Sequence, residues 1–181
     1  MLREAIVEER APKSSRASSS STSSSSSSSS STPSPAVTAY TPLQRRLAKS
    51  AAALFAIGML TGFWSGAALA EVVKVPIPRL ALAAHLNCIM GCFWLLGVAF
   101  TLPMLGYSDK GKDRLAKLTL VPAYANWAIT LLASFLGVRG INFTGQHAND
   151  FIAVLLFAFV VGPAVAQSFT WVYGFIKKPA A

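Results

Sequence analysis

Acidic residues are scarce in this 181-residue chain, with seven Asp and Glu against sixteen Lys and Arg and a formal charge of +9. Cysteine is scarcer still. The two present, Cys88 and Cys92, form no CxxC or Cys/His zinc spacing, which excludes a disulfide framework and a zinc module. Paired carboxylates, an HExxH helix, a phosphate-binding glycine loop and a nucleophile elbow are all missing. Metalloprotease, phosphoryl-transfer and serine-hydrolase chemistry therefore lose the residues they need. What is plentiful is apolar surface, at 53% hydrophobic residues and a mean hydropathy of +0.50. That average hides a division, because residues 1–49 hold seven of the sixteen basic residues, three of the seven acidic ones and most of the serine.

The remainder falls into four apolar stretches, about 50–70, 80–105, 115–138 and 151–175. A hydrocarbon core of ~30 Å needs roughly 20 helical residues, and each stretch is long enough. Strands are excluded, since an open strand edge in lipid leaves backbone groups unsatisfied. The pattern predicts an all-α fold, an integral membrane four-helix bundle over residues 47–178. A disordered Ser/Pro-rich cytoplasmic tail is expected over residues 1–46. Ser18 to Ser31 is serine throughout apart from Thr22, followed by Pro33 and Pro35, and such a segment buries too little to offset its ordering entropy. Glu4, Glu8 and Glu9 argue against a transit peptide, and no apolar core precedes the tail as a secretory signal requires. Thirteen basic residues lie on the side of the N-tail, the 106–114 loop and the C-tail, against Lys74, Arg79 and Arg139 on the other. Both termini are thus expected in the cytoplasm. The positive charge belongs to topology, and no nucleic-acid partner is expected.

Polar groups inside the spans are few. Gly58, Gly62 and Gly66, followed by Ala70, repeat every four residues along the first helix, the pattern of a close helix-packing groove. His85 enters the second span from the external side, and ionisable residues at that depth carry a functional expectation. It has three readings: a hydrogen bond to a neighbouring helix, an axial metal ligand, or a proton-transfer group. Cys88 and Cys92 share its helical face, yet the set matches no familiar zinc site, and cysteines four apart on a helix lack disulfide geometry. They read as small packing residues. In the third span Tyr124, Trp127 and Thr130 form one stripe, while Asn126, Thr130 and Ser134 form a polar line. Gln167 and Ser168 are the polar spot of the fourth, beside Gly162 and Pro163. His147 and the sequon Asn142-Phe143-Thr144 fall in the second external loop.

The stretch Leu80–Gly106, with its His85-Leu86 pair followed by small residues, resembles the second helix of hydroxylaminobenzene mutases. Tyr124-Ala125-Asn126-Trp127, running on through TLLASFLG, resembles the corresponding segment of the same enzymes. Ala84-His85, the run from Val98 to Lys110 and the pair Ala125-Asn126 are similar to styrene oxide isomerases. The resemblance covers about residues 79–145. It implies a small four-helix membrane isomerase. Mutases rearrange an aryl hydroxylamine to an aminophenol, and the isomerases convert an aryl epoxide to an aldehyde, as trimers with a haem b between subunits. By that resemblance the cofactor is haem b with His85 as its iron ligand, and the chain forms a homo-oligomer, a trimer. Tyr124, Asn126 and Trp127 would line or support a catalytic pocket for a small apolar substrate reaching it from the lipid bilayer. Gly91 stands where the isomerases have a substrate-contacting Asn, and Pro122 and Thr130 where they have Asp and Tyr. Those departures count against the epoxide chemistry, and Tyr124-Ala125-Asn126-Trp127 favours the mutase reaction, with the epoxide rearrangement as alternative. The other alternative is a non-catalytic membrane accessory protein. A transporter is disfavoured, because no span holds a carboxylate and no inverted repeat is evident.

Overall fold

Thr41 starts the first helix. Its hydroxyl accepts from the Gln44 backbone N–H (3.3 Å), while its own N–H donates to the Gln44 side chain (2.9 Å). That reciprocal box, with Pro42 at the first helical position, satisfies donors that would otherwise be orphaned. The computed structural model describes residues 40–178. Most of the expected tail lies outside that range. Helix α1 runs from Pro42 to Leu69, so it begins eight residues before the apolar stretch and inside the segment assigned to the tail.

Helix α2 spans Pro78–Thr101 and tightens into a 3₁₀ turn, Leu102–Met104, around Pro103. Helix α3 spans Asp109–Leu136 and ends at Gly137, whose left-handed backbone (φ 68°) closes it. The fourth span is two α-helices, α4 (His147–Leu156) and α5 (Gly162–Ile176), joined by a π-helical turn at Phe157–Val161. Pro163 has no N–H to give to the preceding turn, and the widened turn absorbs the register shift. All four spans start before the apolar stretches, because the preceding residues belong to the same helices, and the first three end one or two residues short of them; they measure 28, 27, 28 and 30 residues and are apolar enough to cross a membrane. Among the described residues there is no strand. The protein is a multi-pass, all-helical membrane protein.

Helix α1 packs along α2, α2 along α3, and the fourth span leans mainly on α3. Leu47, Leu54, Cys88, Leu95, Val98 and Leu115 form the main core, and Ile129, Ala133, Val138 and Ile152 a second one beneath α4. Phe63, Met90, Phe93, Phe100 and Phe169 point outward, each at least 61% exposed. In water that would be a liability; in hydrocarbon it is the solvated surface.

One end of the bundle is tied by polar contacts. Gln44 Nε2 donates to the Ala99 carbonyl (3.1 Å), Gly106 N–H to the Gly174 carbonyl (2.9 Å), and Tyr107 hydroxyl to the Thr170 carbonyl (2.7 Å). Asp113 meets Lys117 (2.7 Å) and Arg46 (3.8 Å). At the other end, Asn149 accepts from Gly140 N–H and donates to the Asn142 carbonyl, while Asp150 accepts from Thr144 and Gly145. These two side chains, one turn into α4, fold the 137–146 loop onto the helix start.

Candidate functional site

His85 stands seven residues into α2, about 10 Å along the helix from Pro78. Its ring lies across Gly62 of α1, where an added Cβ would come within 2.8 Å of Cε1 and 2.9 Å of Nδ1. Nδ1 is 2.7 Å from the Gly58 carbonyl. A carbonyl only accepts, so Nδ1 carries a proton and donates, the tautomer that puts the imidazole lone pair on Nε2. Cys88 sits one turn further on against Gly58, where an added Cβ would lie 2.6 Å from its own Cβ. The small-residue groove is therefore the seat of His85 and Cys88. It is two glycines long, since a Cβ at Gly66 would meet nothing within 4 Å. Both cysteines are buried and free, and among the described residues no three His, Cys, Asp or Glu side chains gather as a metal site.

Helix α3 presents its polar residues to two different neighbours. Tyr124 hydroxyl donates to the Ser50 carbonyl (2.8 Å) and Trp127 Nε1 to Thr61 Oγ1 (3.1 Å), so both polar groups fasten α3 to α1. Asn126 faces α2 instead. There Asn87 Nδ2 donates to Asn126 Oδ1 and to Thr130 Oγ1, each at 3.1 Å, and the Thr130 hydroxyl approaches Asn126 Oδ1 at 3.4 Å. Asn87 is about 14 Å along α2 from Pro78, and Asn126 about 15 Å along α3 from Leu136, so the cluster lies near mid-membrane. All three residues are half-buried.

Sequence reasoning missed Asn87. The available signal was the same one used for Asn126, an amide at mid-span that needs partners in lipid. Ser134 does not join the cluster; it is buried and donates to its own helix at Leu131. Ser168 likewise bonds Ala164, while Gln167 is fully buried with both side-chain polar atoms unpartnered. His147, the first residue of α4, is exposed, as is the sequon.

His85 and Asn87 are two residues apart, about 200° around the helix, and so occupy opposite sides of α2. The chain does not by itself bring the imidazole and the amide cluster onto one wall. A cleft of about 260 Å³ lies between α1 and α3, lined by Leu60, Thr61, Trp64, Leu131 and Phe135, and includes neither His85 nor the amide cluster in its lining. A larger one, about 370 Å³, is at the basic end among Thr41, Leu43, Leu102, Asp109 and Lys112, away from these polar groups.

The helices carrying these residues match a known family along nearly their whole length. The pattern described as styrene oxide isomerase covers residues 43–176. Hydroxylaminobenzene mutase HabB of Ectopseudomonas oleovorans is 33% identical over 99 residues, 55% of this chain and 56% of that protein. The chain thus spans a little over half the length of that relative. No solved structure matches. With all four spans inside the matched region except for Pro42, the chain belongs to the styrene oxide isomerase family.

Proposed function

We propose that this protein is a membrane isomerase that rearranges a small aryl hydroxylamine to an aminophenol. The reaction breaks the N–O bond, forms a ring C–O bond and moves the displaced ring proton to nitrogen, so no oxidant or co-reactant is needed. Such a reaction suits a site without carboxylates or hydrolytic nucleophiles. The observation that supports it most is the amide cluster of Asn87, Asn126 and Thr130 near mid-membrane, in a chain of this family with a mutase relative. Asn126 is the substrate-facing residue of the three first singled out. Tyr124 and Trp127 act through position, holding α3 against α1.

Haem b is the proposed cofactor, and His85 fits an iron ligand. Its Nδ1–H is held by the Gly58 carbonyl, which fixes the tautomer with Nε2 free to ligate. Haem, when bound, supplies a Lewis-acidic iron for the substrate oxygen. Because His85 and Asn126 lie on opposite sides of α2, a site using both is completed between copies of the chain, in a homo-oligomer such as a trimer. The substrate reaches it from the bilayer. Both ends of the chain lie on the cytoplasmic side, since nine basic residues of the described chain cluster at the end holding the 105–108 turn and three at the other.

The test is turnover by detergent-purified protein offered phenylhydroxylamine and styrene oxide, with an absorption spectrum. Aminophenol formation supports the mutase reading, and aldehyde formation from the epoxide would replace it. Absence of both reactions would leave an accessory protein. A Soret band that is lost in His85→Ala supports the haem; a missing band, or one unchanged in the variant, removes it.

A further inference from the structure

The hydrogen bonds of the mid-membrane cluster do not use all its polar groups. Asn87 donates both amide protons, one to Asn126 Oδ1 and one to Thr130 Oγ1, and the Thr130 hydroxyl turns toward Asn126 Oδ1. Left over are the Asn87 carbonyl and the Asn126 amino group. One acceptor and one donor therefore have no partner within the cluster. They are not sealed in, for both residues are half-buried on the seam between α2 and α3. Hydrocarbon offers them no water, and an unmet amide there is costly.

We infer that this leftover pair binds the N–OH group of the substrate, and that Asn87 is a specificity-determining residue. The amide carbonyl accepts from the substrate N–H or O–H, and the amide amino group donates to the hydroxyl oxygen. An N-hydroxy arene satisfies both groups at once. An epoxide oxygen only accepts, so it leaves the carbonyl unpartnered in a dry site. A site built around such a pair discriminates strongly against the analogue that cannot complete it. The assignment rests on the isomerase reading above and selects within it, toward aryl hydroxylamines and away from epoxides.

Binding of an unreactive matched pair tests it: benzaldehyde oxime, which carries N–OH, and its O-methyl ether, which lacks the O–H. Measured by calorimetry on the full-length protein in detergent, the wild type is expected to bind the oxime about tenfold tighter, the equivalent of one neutral hydrogen bond. Asn87→Ala should weaken the oxime alone and bring the ratio near one; Asn87→Leu, nearly isosteric, serves if the alanine variant does not fold. Equal binding of the pair by wild type, or a preference unchanged in both variants, overturns the assignment. So does dissociation of the oligomer by Asn87→Ala with no oxime preference in wild type, which gives the pair to a contact between copies. Turnover of phenylhydroxylamine by wild type is scored separately. Turnover without an Asn87-dependent preference removes this role and leaves the isomerase, whereas the preference without turnover does the reverse.

Discussion

Gly58 and Gly62 are the positions where one methyl group decides whether α2 can lie on α1. A Cβ at Gly62 would press on the His85 ring from 2.8 Å, and at Gly58 on Cys88 from 2.6 Å, whereas one at Gly66 would enter open space. Overpacking costs roughly 1–3 kcal/mol where neighbours are hemmed in. Thermal unfolding in detergent should accordingly show Gly62→Ala clearly destabilised and Gly66→Ala close to wild type; similar losses at both would contradict the observed groove. Gln167 offers the opposite experiment. Its amide is fully buried without a partner, a state that costs about 1–3 kcal/mol. Gln167→Leu should hold or raise the melting temperature, and a marked drop would reveal a bound partner for the amide. Four-residue spacing is visible in a sequence, so the groove was legible from Gly58 and Gly62. Its end at Gly66 was not, because spacing does not say where the neighbouring helix diverges. Asn87 stayed hidden for a related reason: its meaning comes from Asn126 and Thr130 on another helix, 39 and 43 residues away.

The spans themselves were read from hydropathy alone, and the structure has all four. Their ends were misplaced because hydropathy marks where lipid begins and not where hydrogen bonding stops. α1 starts at Pro42 through the box of Thr41 with Gln44, well inside a polar segment. The π-turn at Phe157–Val161 is also absent from the apolar pattern, although Gly162-Pro163 marks where a regular helix must give way. Between elements, besides the Arg46–Asp113 pair at the basic end, two side chains carry polar joints of α3 to α1. Tyr124→Phe and Trp127→Phe each remove one such bond, at 2.8 and 3.1 Å, and should each cost about 0.6–1.5 kcal/mol in stability. If their role is positioning, turnover in the same variants should fall less than in Asn126→Ala, which strips the substrate-facing amide. A larger catalytic loss at Tyr124 with no loss of stability would instead make its hydroxyl a reacting group.

For the whole molecule, charge and packing describe the same axis. The end holding the N-terminus of α1, the 105–108 turn and the C-terminus of α5 is stitched by Gln44, Gly106, Tyr107 and Asp113, and it holds nine of the twelve basic residues described. A reporter fused to the C-terminus should read cytoplasmic, and an external signal would invert the assignment. The family match covers the same four spans that carry both the fold and the few polar groups inside it. The central claim is that oxygen moves within one substrate molecule, in a dry site, without water taking part. Turnover of phenylhydroxylamine in ¹⁸O-labelled water, followed by mass spectrometry of the product, tests it most directly. Intramolecular rearrangement predicts aminophenol carrying only the substrate's own unlabelled oxygen; ¹⁸O in the product, or no aminophenol at all, would contradict it.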